Sequence, residues 1–570
     1  MTTGGDAPHE AGGSAAADLV LVGGKIRTPA HPSGFVRSLA IRAGVIQAVG
    51  SDDEIREHAG PRTQVLHLRG RLAIPAFGDA HVHPVQGGLE SLRCNLLGMR
   101  TRQECLDAIA AYSATLPPGD WVLGGGWSMP GFPGGTPTAA DLDAVTGGRP
   151  AFLPNRDHHS AWVNTAALEL AGVTADTLDP PDGRIERDHA ARPAGALHDG
   201  AMRLVGDRVP PAAPAELTAA LLAAQQHLHA LGITSIQDAC VGQAGELGMP
   251  DAFDTYQRAA ADGLLTCRVT GALWWDRARG LNQLADLQTR REAAAHDKFR
   301  ATTVKLMLDG VCETFTAAMG APYLDGHGHP DPDGHAGSLF IDPEELAEAA
   351  ARLSALGFQM HFHAIGDRAI TVALDTLARL PAAERARGRH HIAHLQFISP
   401  PDLDRFARLG VAATFQPLWA CEDEQNADLT VPFVGAERAA WQYRIGAVLR
   451  HGARLAFGSD WPVSSADPLQ EMHVAVNRML SARLGEPGTA ETTRPLLPAE
   501  AITVDAAIEA FTQGVAFVNH EEDVAGTLAP GMIADLAVLD QDLYAITPGE
   551  IGSTSVAVTI AGGQVVHGGE

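Results

Sequence analysis

The feature that most restricts how this chain can fold is a series of short apolar runs of strand length through its middle. They are LAIPAFGDAHVH (72–83), TSIQDA (234–239), CRVTGALWW (267–275), TTVKLMLDG (302–310), FQMHFHA (358–364), HHIAHLQ (390–396), VAATFQP (411–417) and RLAFGSD (454–460). Between several of them lie segments of helical texture: AELTAALLAAQQHLHALG, PEELAEAAARLSALG, AITVALDTLARL and PPDLDRFARLG. Strands that alternate with helices build parallel sheets. Eight strands of this kind predict an α/β fold, a (β/α)8 TIM barrel. Two further strand-like runs, WVLGGGW and PAFLPN, are assigned to an insertion after barrel strand one, residues 95–215.

The two ends read differently. ADLVLVGGKIRT, SLAIRAGVIQAVG and TQVLHLRGRLAIP near the start, and GTLAPGMIADLAVLDQDL and VAVTIAGGQVVHGG near the end, are short alternating strands punctuated by turns. Chain termini often lie close together. The expected organisation is a disordered leader over 1–17, a small β-sandwich domain from 18–72 plus 523–570, and the barrel over 73–522.

Composition removes some functions. The net charge is 42 − 68 = −26, which repels phosphate backbones and anionic lipid. Neither nucleic acid nor membrane is an expected partner. No run is long and apolar enough to span a bilayer, and residues 1–18 have no basic or apolar signal-peptide region. The six cysteines are scattered, with no CxxC pair, which reads as free thiols in a reducing compartment, hence a cytoplasmic protein.

In a barrel, chemistry collects at the C-terminal strand ends. Here strand one ends in His81-Val-His83, strand four carries Lys305, strand five His361 and His363, strand six His394 and strand eight Asp460. Each has a plainer reading: a lone strand-end histidine is commonly a hydrogen-bonded polar residue, and Asp460 suits a turn. The set is what points to a metal. Residues i and i+2 of a strand face the same way, so His81 and His83 can converge. Lys305, one of only three lysines, sits in an apolar strand, where an ammonium is costly and tends to lose its proton. A neutral amine can take up CO₂ as a carbamate able to bridge two cations; the alternative is a salt bridge to a carboxylate such as Asp309.

These residues, in the motifs GDAHVHP, VKLMLDG, HFHAIGDRA, HIAHLQ and FGSDWPV, resemble the amidohydrolase superfamily of metal-dependent hydrolases. The branch most resembled includes the N-substituted formamide deformylases, and PTAADLDAVTGGRPAFLPNRDHHSAWVNTAAL and GTLAPGMIADLAVLD are similar to it as well. The resemblance implies one or two divalent metals, usually zinc, with two Zn²⁺ ions in a binuclear metal centre the expectation taken here. The ligands it implies are His81, His83, His363, His394 and Asp460, with carboxylated Lys305 as the bridge. It implies Asp460 as the catalytic acid and base. It matches His159 of His158-His159-Ser160 to an insertion histidine that assists catalysis and binds substrate, leaving the roles of His158 and His361 open.

The expected reaction is hydrolysis of a non-peptide C–N bond, an amide or N-substituted formamide, by a metal-activated water. Asp460 takes the proton of that water and returns it to the leaving nitrogen. Trp127, Trp419 and Trp461 are expected to line an apolar substrate pocket, with Trp274 and Trp275 read at least equally as core. A deaminase, or a hydrolase of cyclic amides or carbamates, would use the same residues. A non-catalytic scaffold protein would be missing some of them. The expected partner is a small-molecule amide, with a homodimer as the commonest assembly.

Overall fold

The computed structural model describes residues 16–242, 244, 247–485 and 488–569. The expected leader lies outside these residues except for its last two, and Ala17 is already buried, its N–H donating to His58 O at 2.8 Å.

All eight runs contribute a strand to one eight-stranded sheet. In chain order the strands are β1 (Phe77–Val82), β2 (Ile233–Val241), β3 (Arg268–Trp274), β4 (Phe299–Met307), β5 (Gln359–Ala364), β6 (His391–His394), β7 (Ala412–Phe415) and β8 (Leu455–Phe457). Each pairs in parallel with its sequence neighbour. Helices form the crossovers, among them Pro214–Ala230 before β2 and Pro343–Ala355 before β5. The second starts where its sequence says it should: Pro343 occupies the first turn, and the Asp342 carboxylate accepts from the Glu344 and Glu345 N–H groups.

Strand alternation sorts the side chains. On β4, Val304 and Leu306 join the core beneath the helices while Thr303, Lys305 and Met307 do not; on β5, Met360 and Phe362 join it while His361 and His363 do not. The first set faces the helices and the second, polar apart from Met307, faces the barrel interior. β1 and β8 meet through side-chain and strand-end bonds. The Asp79 carboxylate accepts from Ser459 N–H at 3.1 Å, Ser459 Oγ at 2.6 Å and His81 N–H at 3.0 Å, and Asp460 N–H donates to His81 O at 2.7 Å. Gly458 permits this approach, since a Cβ there would lie 2.4 Å from His81 N.

LAIPAFGDAHVH is two strands, not one. Leu72–Pro75 belongs to a terminal sheet, and the barrel begins at Phe77. Pro75 has no N–H to continue a ladder. Leu72–Pro75 lies between Lys25–Arg27 and Leu536–Leu539, so both ends of the chain share this six-stranded sheet. It packs on a four-stranded sheet through Leu21, Ile41, Ala73, Leu536 and Ile560. Leu72 and Ile74 point the other way, into the barrel core. The insertion forms a separate six-stranded sheet from Cys94–Asn95 to Pro193–Asp199, with its own apolar core.

None of the cysteines is in a disulfide. Among the described residues no helix is long and apolar enough to cross a membrane.

Candidate active site

At the C-terminal mouth of the barrel, a cavity of about 50 Å³ is lined by His81, His83, His159, Lys305, His363, His394 and Asp460. Thus the whole predicted ligand set, together with the insertion histidine, meets in one place. All of these side chains are buried.

Asp460 Oδ1 lies 3.0 Å from His83 Nε2 and 3.4 Å from His81 Nε2, yet has no hydrogen-bond partner. These three residues offer donor atoms close enough to hold one cation. His394 Nδ1 is 3.0 Å from Gln416 Oε1, so its proton goes there, and its buried Nε2 is left without a partner. His363 Nδ1 lies 3.3 Å from Asp309 Oδ1 without hydrogen-bond geometry. Burial drives His81, His363 and His394 well below the usual histidine range, which keeps them in the neutral form that binds metal. Buried lone pairs that face one another with no proton between them are expensive unless a cation shares them. By this test the residues fit a divalent metal.

Lys305 does not make the alternative ion pair. Asp309 is committed to the N–H groups of Ala318, Ile365 and Gly366, at 2.9, 3.0 and 2.8 Å. Lys305 Nζ instead sits 3.2 Å from His81 Nε2, and burial pushes its pKa down to about 8. The backbone here is strained: His394 and Asp460 both have left-handed φ, 76° and 57°, which non-glycine residues adopt at a cost.

The insertion closes the roof. His159 Nδ1 is 2.6 Å from Asp199 Oδ1. Burial is the largest single influence and opposes charge on this imidazole, but the Asp199 bond and charge, together with the charges of Asp157 and Asp460, outweigh it and the pKa is raised. His158, whose role the sequence left open, turns to Glu90, with Nε2 3.0 Å from Oε1, and lines the same cavity. Sequence reasoning missed Asp199 and Glu90. Each lies far along the chain from its histidine, and only the polar end of the ALHDG strand hinted at Asp199.

The tryptophans separate. Trp419 lines the cavity and stacks on His394, ring centroids 5.3 Å apart and planes 6° from parallel. Trp274 lines it too. Trp127 does not reach it: fully buried, it packs with Phe132 and Trp162 in the insertion core and donates to Leu153 O at 2.8 Å. That aromatic cluster and the Leu153 carbonyl hold the ring inward. Trp461 faces away as well, against Gly87 and His227.

With this geometry in view, comparison with known proteins decides the family. The model for the "Amidohydrolase family" matches residues 64–567. The chain belongs to the amidohydrolase family. Protein LONG AFTER FAR-RED 3 of Arabidopsis thaliana is 30% identical over 559 residues, covering 97% of this chain and 92% of that protein. N-substituted formamide deformylase of Arthrobacter pascens is 26% identical, covering 96% and 97%. Among solved structures, a metal-dependent hydrolase from Pyrococcus horikoshii OT3 superposes with a TM-score of 0.70 at 25% identity, covering 93% of this chain and 99% of that one. The amidohydrolase-family chain therefore shares a metal-dependent hydrolase fold over nearly its whole described length.

Proposed function

We propose that this chain hydrolyses a non-peptide C–N bond, that of an N-substituted formamide or small amide. The observation that carries the reading is the convergence of six potential ligands around one small cavity that His159, backed by Asp199, also faces. His81, His83 and Asp460 would hold one divalent metal and His363 and His394 a second, with zinc the expected ion. Lys305 would bridge them as a carbamate: its neutral amine forms an N–C bond to CO₂ and releases a proton. A metal bound there supplies Lewis acidity, which acidifies water and polarises a carbonyl.

The side chains do the rest. Asp460 accepts the proton of the attacking water and passes it to the departing nitrogen. His159 has its Nδ1 proton committed to Asp199, so Nε2 carries a proton only in the imidazolium form. In that form it donates to the developing oxyanion.

The cavity wall and a named relative support an apolar formamide or small amide as substrate. Trp419, Met249 and Leu247 make the neighbouring wall apolar, and the A. pascens relative is named as a formamide deformylase.

The test is a zinc-loaded assay of N-formyl, N-acetyl and N-butyryl amines with detection of free amine. The expected order is formyl first. Release of ammonia from ring amidines, with no amide cleavage, would replace this reading by deamination. D460N should keep its metal and lose ~10²–10⁴-fold in kcat. K305A should lose metal and recover it with a short carboxylic acid; full metal content in K305A without the acid rejects the bridge.

A further inference from the structure

Below the ligand layer the barrel axis is filled by buried polar side chains, and their hydrogen bonds run in one direction. A backbone carbonyl or a carboxylate only accepts, an amide has one accepting and one donating end, and a neutral imidazole has one of each. A network tied to accept-only groups therefore has its protons placed.

Two such ties exist. The first is at Gln359, whose amide nitrogen lies 2.8 Å from Arg389 O and 2.7 Å from Val518 O. Its oxygen must then face Thr303 Oγ1 and Gln237 Nε2, at 2.7 and 3.2 Å. The second is the Glu521 carboxylate, gripped by Arg268 and Arg300 at 3.1 and 2.8 Å. It accepts from Ser235 Oγ at 2.9 Å, so Ser235 Oγ accepts from Asn519 Nδ2 at 3.2 Å, and Asn519 Oδ1 faces Gln237 Nε2 at 3.1 Å. Both ties turn Gln237 the same way, with nitrogen toward the barrel floor and oxygen toward the histidines.

Gln237 Oε1 is 2.8 Å from His361 Nδ1 and 2.8 Å from His391 Nε2, so both of those nitrogens carry protons. His391 Nδ1 is thereby left to accept from Thr414 Oγ1 at 2.9 Å, as the structure has it. His361 Nε2 must also accept, and the atom facing it, at 2.9 Å, is His81 Nδ1. That puts the proton of His81 on Nδ1 and the lone pair on Nε2, the atom that faces Lys305 and Asp460.

We propose that Gln237 and His361 are positioning residues that lock His81 in the tautomer able to bind metal through Nε2. This rests on the proposed function, in which His81 is a metal ligand. It also gives the unassigned His361 a role: it lies one layer below His363, on the same face of β5, and orients a ligand instead of being one.

The test uses the full chain with cobalt in place of zinc. H361F, which keeps a ring but offers no acceptor, should weaken Co²⁺ affinity ~10–100-fold in chelator competition, the usual effect of removing such a partner. H361Q, whose amide restores an acceptor and a donor, should recover most of it. Melting of the metal-free variants checks that the loss is not simple destabilisation. In the unaltered chain, ¹⁵N-histidine spectra of the metal-free protein, with His81 assigned by its absence in H81N, should show Nδ1 protonated and Nε2 bare. Wild-type cobalt affinity in H361F, or a proton on His81 Nε2, overturns the proposal. If H361F does not fold, the spectrum of the unaltered chain decides. An unaltered chain that binds no cobalt would sink the metal reading, while the tautomer readout would still judge the relay.

Discussion

Asp199 shows how one carboxylate can set the chemistry of a distant histidine. Because it holds His159 Nδ1 at 2.6 Å and raises that pKa, it sustains the imidazolium that donates from Nε2. A raised pKa keeps the proton to higher pH, and activity falls as pH rises through that value. D199N should therefore move the alkaline limb of the kcat profile to lower pH and lower kcat itself by ~10²-fold or more, the scale of losing an oxyanion donor. An unmoved limb would remove His159 from acid duty. The histidine was visible in the sequence through its family-like setting. Its carboxylate was not, because the two are joined only where the strands Ser160–Val163 and Pro193–Asp199 pair.

At the level of elements, the barrel closes where β8 meets β1, and the closure and the site share residues. A Cβ on Gly458 would lie 2.4 Å from His81 N. G458A should cost ~1–3 kcal/mol by forcing the strand ends apart and should also loosen metal, because His81 and Asp460 sit on those ends. Calorimetry and metal analysis of the same sample check both; a stability loss with unchanged metal retention would uncouple them. The insertion behaves as an element with a core of its own. W127A should destabilise by ~3–5 kcal/mol with little change in the substrate preference of the folded fraction. W419A, in the cavity wall, should do the reverse, raising KM at modest stability cost. Sequence texture alone cannot part these two rings. Each follows a strand, and which way it turns depends on Phe132 and Trp162 in one case and His394 in the other.

For the whole molecule, metal is expected to act as a stabiliser as well as a reagent. The donor atoms come from β1, β4, β5, β6 and the end of β8, so an ion that binds only the assembled barrel adds to its stability. Ligand at 1,000 times its Kd contributes ~4 kcal/mol. Chelation should lower the melting temperature, and zinc should restore it; a transition indifferent to chelator would mean the ligand set does not hold an ion. At the opposite end of the barrel, Arg268 of β3 is buried against Glu521 and against Asp535, the residue preceding terminal-sheet strand Leu536–Leu539. That charge cluster joins barrel to sandwich.

The amino-acid sequence by itself determined the eight strand runs, the period-two sorting of Lys305, His361 and His363 onto the inner face, and the ligand-type residues at the strand ends. These are local properties, written in hydrophobic alternation and residue chemistry over a few positions. The tertiary structure alone decided depth and partnership. It set His361 one layer below the ligands, and Asp199 against His159. It gave Gln237 its single orientation, and Trp127 its place in a separate core. Those outcomes depend on contacts between segments distant in the chain, whose geometry exists only once the barrel strands and the insertion sheet have assembled.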